Sequence, residues 1–528
     1  MKKRSSFFKV SAGMLIFALS VPVLFTGCRA PHYNSGAIYD SAKTAENAAP
    51  YVSYEPNVNY NTEEYNAIKE SSFHAVATSP LSTFAADVDT ASYANIRRFI
   101  NSGELPPADS VRIEEMLNYF RYDYPQPKDG EPFSVSTEIS ACPWNPDTKL
   151  MMIGMQAKKV EESEKKPSNL VFLIDVSGSM DEPDKLPLVK NAFLLLCEEL
   201  KENDTISIVT YAGYDQVVLE GARGSDSKEI MSAIEDLEAG GSTAGSDGIK
   251  TAYKIAKKYF KSDGNNRVIL ATDGDLNVGI TSEGELTRLI KKEKESGVFL
   301  SVLGFGTENI KDNKMEALAD NGNGNYSYID SRFEAKKVLS EELGANFFTV
   351  AKDVKFQLEF NPKFIKGYRL IGYENRIMDD EDFKDDTKDG GEVGSGHRVT
   401  VLYEIVDTDS PMDIGSDLKY QSSSVTESND LLNIAVRYKD PDSETSRELN
   451  YPVTTESIKP EMSDNMKFAS AIAETGMLLR DSEYKGSSSY ESALSLLNSV
   501  SDIKDDTSKL EFLLLVDKIS DLEKMANK

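Results

Sequence analysis

Leu170-Val-Phe-Leu-Ile-Asp-Val-Ser-Gly-Ser-Met180 joins an unbroken apolar run to a turn of oxygen-bearing side chains. A strand with one wet face alternates apolar and polar residues. The run Leu170–Ile174 is apolar throughout and reads as a strand buried on both faces, as in a parallel sheet. It ends abruptly at Asp175-Val-Ser-Gly-Ser179. An acid and two hydroxyls on one tight turn form a half-site for a hard divalent cation, which takes oxygen ligands. Taken alone, Asp-x-Ser-x-Ser also reads as a helix N-cap with nothing bound.

Outward from this strand, residues 169–348 alternate strand and helix. Val171–Asp175, Thr205–Tyr211, Val217–Glu220, Arg267–Ala271, Val298–Gly304 and Tyr326–Ile329 read as strands. Val189, Ala192, Phe193, Leu196, Cys197 and Leu200 share one helical face, and Ile249, Ala252, Tyr253, Ala256, Tyr259 and Phe260 share another. The predicted fold is α/β, a doubly wound, mostly parallel sheet. Ligand sites in such sheets lie at the carboxyl ends of the strands. Asp175 and Asp273 occupy two such ends, and Thr243 lies in Gly240-Gly-Ser-Thr-Ala-Gly245 at a helix start. Three loops therefore converge on one edge with oxygen donors only. Mg²⁺ wants six oxygens and keeps some water. Two carboxylates and neutral hydroxyls leave residual positive charge and an open position, which a carboxylate from another molecule can fill. Asp247 and Asp275 lie close by in sequence and read either as groups that orient the ligands or as solvated loop acids.

With these motifs together, residues 170–348 resemble a von Willebrand factor type A domain with a metal-ion-dependent adhesion site. Asp175, Ser177, Ser179, Thr243 and Asp273 match all five positions of that site. The resemblance implies direct coordination of Mg²⁺ (or Mn²⁺ or Ca²⁺) by the serines and the threonine, with the aspartates often acting through water. Pro80–Tyr93, Arg112–Phe120, Gly304-Phe-Gly-Thr307 and Asn321–Tyr326 resemble a bacterial lipoprotein family that carries this domain. That likeness implies a fold and a metal site but not a defined partner.

The flanks are of a different kind. Lys2, Lys3, Arg4 and Lys9, then an apolar stretch from Val10 to Phe25, then Leu24-Phe-Thr-Gly-Cys28 read as a signal peptide, residues 1–28. Its end resembles a lipobox, with Phe25 where an aliphatic residue is usual. Cys28 is the expected lipidation site. An ordinary cleaved signal and an uncleaved anchor are the alternatives. Residues 29–78 read as a flexible tether, and 79–168 as a region of short helices and strands. Residues 349–460 show period-two strands at Val354–Phe360, His397–Ile405 and Leu432–Tyr438, as in a β-sandwich, with Met378–Glu392 as a solvated acidic loop. Residues 461–528 return to helix at Met466–Leu479, Tyr490–Leu497 and Leu510–Met525. Cys197 reads as a buried free thiol, and nothing in the sequence pairs it with Cys142. Asp87-Val-Asp-Thr90 reads as helix capping rather than a second cation site, and Trp144 as a packed strand-end residue.

The chain has 528 residues and a formal net charge of −28, which disfavours nucleic acid as a partner. His32, His74 and His397 are isolated, and no nucleophile elbow or phosphate loop occurs. The expectation is a non-enzymatic protein, lipid-anchored outside the cytoplasm on the cell membrane or outer membrane. It would use a divalent metal to capture an acidic residue of a protein partner. The alternative is a structural or assembly protein of the envelope in which the metal only stabilises the fold. Oligomeric state is left open.

Overall fold

The computed structural model describes residues 62–86, 88–241, 246–274, 283–307, 309–415 and 428–526. Cys28, Asp87, Thr243 and Asp275 lie outside them, and the side chain of Asp247 is likewise not described.

Residues 62–78, read from sequence as part of a tether, are held by backbone pairing. The Glu64 N–H donates to the Ile310 carbonyl at 3.0 Å, and β1 (His74–Ala75) joins a sheet edge. There follow β2 (Leu81–Ala85), α1 (Ala91–Ser102), α2 (Ile113–Asn118), β3 (Phe133–Ala141) and β4 (Lys149–Ala157). The Asp89 carboxylate does not cap α1. It is buried and accepts from the Tyr326 N–H at 3.0 Å and from Arg376 at 3.2 Å, and the Thr90 cap makes no side-chain bond.

The quoted stretch is β5 (Ser168–Asp175). After it come α3 (Leu186–Glu198), β6 (Thr205–Ala212), β7 (Tyr214–Arg223), α4 (Ser227–Glu235), α5 (Ser246–Lys258), β8 (Asn265–Thr272), α6 (Glu283–Lys294), β9 (Phe299–Phe305), α7 (Asp312–Asn321) and β10 (Tyr326–Ile329). The strands form one sheet in the order β10-β9-β8-β5-β6-β7, parallel except for the antiparallel edge pair β6/β7. β5 lies at its centre and is buried on both faces. Leu170, Phe172 and Ile174 pack with the α3 face, while Val171 and Leu173 pack with the α5 face. The chain runs from β5 to one side through β6 and β7, then resumes on the other side with β8. The switch point is therefore between β5 and β8.

Past β10, α8 (Arg332–Lys336), a single π-helical turn over Lys337–Glu341 and α9 (Leu343–Phe347) lead out of this domain. The remaining strands are β11 (Thr349–Phe360), β12 (Ile365–Ile371), β13 (Gly391–Gly394), β14 (Arg398–Asp407), β15 (Leu432–Lys439) and β16 (Ser446–Val453). They share two antiparallel sheets with the N-terminal strands. One has the order β1-β12-β14-β4-β3. The other has β13-β11-β15-β16, with β2 also on β11. Regions 79–168 and 349–460, distinct in sequence, thus build a single sandwich. Period two is kept with both faces used. Met151, Ile153, Val401 and Tyr403 fill the sandwich core. Leu150, Met152 and Leu402 face the helices α10 (Asp464–Leu479), α11 (Tyr490–Asn498) and α12 (Thr507–Ala526).

The acidic stretch Met378–Glu392 is not simply a solvated loop. Phe383 is buried, Gly391–Gly394 is a strand, and burial pushes the Glu392 carboxyl up to about 8. Trp144 is fully packed. Cys142 and Cys197 are buried, free, in separate cores, and pushed up to about 12 by burial.

Two arginines fasten α1 and α2 to the parallel-sheet domain. Arg97 donates to both oxygens of Asp330 (2.7 and 2.6 Å), to Glu334 (2.7 Å), to the Tyr119 hydroxyl (2.9 Å) and to Glu511 (3.2 Å). Arg112 meets Glu115, Asp312 and Glu316 at 3.0, 3.1 and 2.6 Å.

Candidate metal centre at the sheet edge

The turn after β5 is built by its own side chains. The Ser177 N–H donates to Asp175 Oδ1 at 2.9 Å, and the Ser177 and Ser179 hydroxyls lie 3.0 Å apart. Asp175 and Ser177 are buried, while Ser179 is exposed. The loop is tied on both sides to its neighbours. The Val176 N–H donates to the Tyr211 carbonyl at 3.1 Å, the Gly240 N–H to the Val176 carbonyl at 2.8 Å, and the Gly178 N–H to the Gly241 carbonyl at 3.1 Å. Backbone bonds thus deliver the Gly240-Gly241 turn, which leads to Thr243, against the Asp-x-Ser-x-Ser turn.

The second aspartate follows β8. Ile174 of β5 pairs with Ala271 of β8, so the two strands end side by side with Asp175 and Asp273 just beyond. Gly274 has φ +98°, and a Cβ there would stand 2.7 Å from the Lys311 nitrogen. Only glycine closes this turn without strain. Its N–H donates to Thr272 Oγ1 at 3.1 Å.

The two carboxylates are in opposite electrostatic conditions. Burial pushes the Asp175 carboxyl up to about 7, although the Ser177 bonds oppose it and neighbouring Asp273 adds to it. Asp273 is also desolvated. There, however, Asn309, Lys185 and Ser179 outweigh burial and hold the carboxyl below its ordinary range. Lys185 Nζ lies 3.1 Å from Asp273 Oδ2 and 3.4 Å from Asn309 Oδ1. No salt bridge to Asp175 occurs among the described residues.

Asp175, Ser177, Ser179 and Asp273 are therefore gathered at the switch point. Thr243 and Asp275 lie outside the described residues. Sequence reading missed Lys185 and Asn309. Neither sits in a motif, since a lysine at a helix start and an asparagine in a loop read as surface groups. Among the described residues no group of three or more His, Cys, Asp or Glu side chains is arranged to hold a metal ion. A cation at this edge must therefore draw on hydroxyls as well as carboxylates. That all-oxygen set suits a hard divalent ion, and a desolvated acid without a cationic partner is the kind of group such an ion satisfies. The described histidines are used elsewhere. His74 stacks on Tyr368. His397 accepts from the Gly394 N–H and is lowered to about 3 by burial.

Comparison with known proteins agrees with this architecture. Residues 169–342 match the von Willebrand factor type A domain family, residues 59–152 a family described as von Willebrand factor, and residues 345–522 the family described as "Uncharacterized protein YfbK, C-terminal". YfbK of Escherichia coli (strain K12) is 41% identical over 463 residues, which cover 85% of this chain and 79% of YfbK. Protein sll0103 of Synechocystis sp. is 31% identical over 188 residues, covering 35% of this chain and 43% of that protein. A solved structure, von Willebrand factor type A from Catenulispora acidiphila, is 16% identical at a TM-score of 0.40. The match covers 77% of this chain and 89% of that one, and the superposition is too loose to carry an argument. The chain belongs to the YfbK family, proteins with a von Willebrand factor type A domain at their centre.

Proposed function

We propose that this protein is a lipid-anchored, extracytoplasmic binding protein. It captures a carboxylate of a protein partner through a divalent cation at the β5/β8 edge, and it catalyses no reaction. Asp175, Ser177, Ser179, Thr243 and Asp273 would hold the ion, with Mg²⁺ the first choice and Mn²⁺ or Ca²⁺ able to replace it. The observation that carries this reading is the pair formed by a desolvated Asp175 and an exposed Ser179 on one turn. The first needs a positive charge, and the second keeps the place open to a partner. When bound, the ion supplies a Lewis-acidic position for an outside oxygen. The chain's own residues do the rest. Ser177 orients Asp175, and Gly240 and Gly241, which precede Thr243 in sequence, are bonded to the same turn. The partner's net charge need not be positive, because charges beyond about 8–10 Å are screened at physiological salt.

The test is a pull-down from envelope extracts with residues 29–528, run in Mg²⁺, in EDTA, and with Asp175→Ala in Mg²⁺. Proteins retained only by wild type in Mg²⁺ support the reading. Equal retention in all three arms, with Asp175→Ala folded, overturns it and leaves a structural envelope role. Anchoring through Cys28 is checked separately. Labelled fatty acid should enter the full chain and not its Cys28→Ala variant, and incorporation in neither would remove the anchor from the proposal.

A further inference from the structure

We infer that Lys185 sets the charge of the metal centre, lowering its affinity for the cation and raising the affinity of the loaded centre for a partner's carboxylate. This rests on the metal-bridging reading above. The geometry is specific. The Lys185 side chain is 9% exposed and the Asp273 side chain 0%, with Nζ 3.1 Å from Oδ2. The lysine stem reaches Asp273 by crossing Gly306, where a Cβ would stand 2.5 Å from the Lys185 Cε, and Gly306 has φ +77°. The path of the side chain is thus built into the end of β9, and the Asn309 amide oxygen holds the ammonium from the other side.

The consequence follows from counting charges. Two aspartates and a divalent cation sum to zero, and a neutral centre gives an incoming carboxylate no net attraction. The Lys185 ammonium brings the loaded centre to +1. The same ammonium repels the cation as it enters. Removing it therefore acts on the two binding steps with opposite signs, which loss of fold or general loosening does not do. A unit charge a few ångströms away at a partly desolvated edge changes each affinity by about tenfold.

The experiment titrates Mn²⁺ alone into wild type, Lys185→Met and Lys185→Gln. Acetate is then titrated into the Mn²⁺-loaded proteins, with water-proton relaxation as the readout and melting in EDTA as the fold control. The expected result is Mn²⁺ bound about tenfold tighter and acetate about tenfold weaker in both variants, each still melting cooperatively in EDTA but at a lower temperature than wild type, because Asp273 loses its buried partner. Equal or weaker Mn²⁺ binding in folded variants overturns the inference while leaving the metal centre intact. So does unchanged acetate binding. Failure of both variants to melt cooperatively also overturns it, because Lys185 would then be a folding residue. Failure of wild type to bind Mn²⁺ removes the metal-bridging reading itself, and the inference with it.

Discussion

The buried charges beside β10 and those after β5 and β8 are treated in opposite ways. At the junction with α1 and α2, Arg97 is enclosed by Asp330, Glu334, Glu511 and Tyr119, and Arg112 by three carboxylates. At the candidate metal edge two carboxylates face one lysine, and among the described residues that lysine pairs with Asp273 and not with Asp175. The first arrangement spends all five Arg97 donors inside the protein and fixes one packing of helix on sheet. The second leaves a desolvated acid short of positive charge on a turn whose outer hydroxyl is exposed. A saturated cluster is cement, whereas an unsaturated one at the surface is a place for something to bind.

The largest expected effect is at the junction. Replacing one partner of a buried, hydrogen-bonded charge cluster leaves the others desolvated and unpaired, at a cost of about 3–5 kcal/mol. Arg97→Met should therefore lower stability by about that amount in urea unfolding. Adding Glu334→Gln should recover part of it, because one stranded charge is removed. A loss below about 1 kcal/mol for Arg97→Met would mean that the cluster does not fasten α1 to the domain.

Glu474 is a third case, unsaturated but sealed. It lies in α10, one oxygen accepts from the Ser492 hydroxyl at 2.6 Å, and Oε1 has no partner among the described residues. Burial pushes its carboxyl from an ordinary 4.5 up to about 7. The native state thus holds its proton more tightly than the unfolded chain. Stability from this group is full below the ordinary value, declines as pH rises toward about 7, and is flat above. Glu474→Gln should match wild type near pH 4.5 and exceed it at pH 8 by about 3 kcal/mol, at 1.36 kcal/mol per pH unit. A constant difference across this range would refute the assignment. Lack of charge compensation alone therefore does not mark a site. Access does, and the Asp175 turn has it.

Cation binding should show this directly. A ligand that binds only the folded state at a hundred times its Kd adds about 2.7 kcal/mol. Saturating Mg²⁺ should raise the melting temperature of wild type and leave Asp175→Asn unmoved. An equal Mg²⁺ shift in both would place the cation elsewhere.

What could be read in the sequence follows from how far each signal reaches. β5 was legible because burial on both faces writes an unbroken apolar run. Asp175, Ser177 and Ser179 were legible because they share one turn. Asp273 was legible because strand ends in a parallel sheet share one edge. Lys185 and Asn309 were not, since they reach Asp273 from 88 residues before it and from the loop after β9. The single sandwich was not legible either. Periodicity shows which face of β4 or β14 is apolar, but not that Met155 pairs with Val399 across the whole inserted domain. Composition misled in two places. Asp89 looked like a cap and is instead a buried acceptor. Met378–Glu392 looked solvated, yet it sends Phe383 and Glu392 inward.

The smallest effect belongs to charges that belong to neither class. Arg447 and Asp440 pair at 3.1 Å, but their side chains are 64% and 36% exposed. Water screens such a pair and competes for both partners, and ordering two long side chains offsets what attraction remains. Arg447→Ala should change unfolding stability by less than about 0.5 kcal/mol, with no dependence on Mg²⁺ and a difference that vanishes in high salt. It is the baseline for the other variants. If it matched Arg97→Met, the contrast between saturated and open clusters would lose its physical basis, because burial would no longer decide what a charge pair contributes.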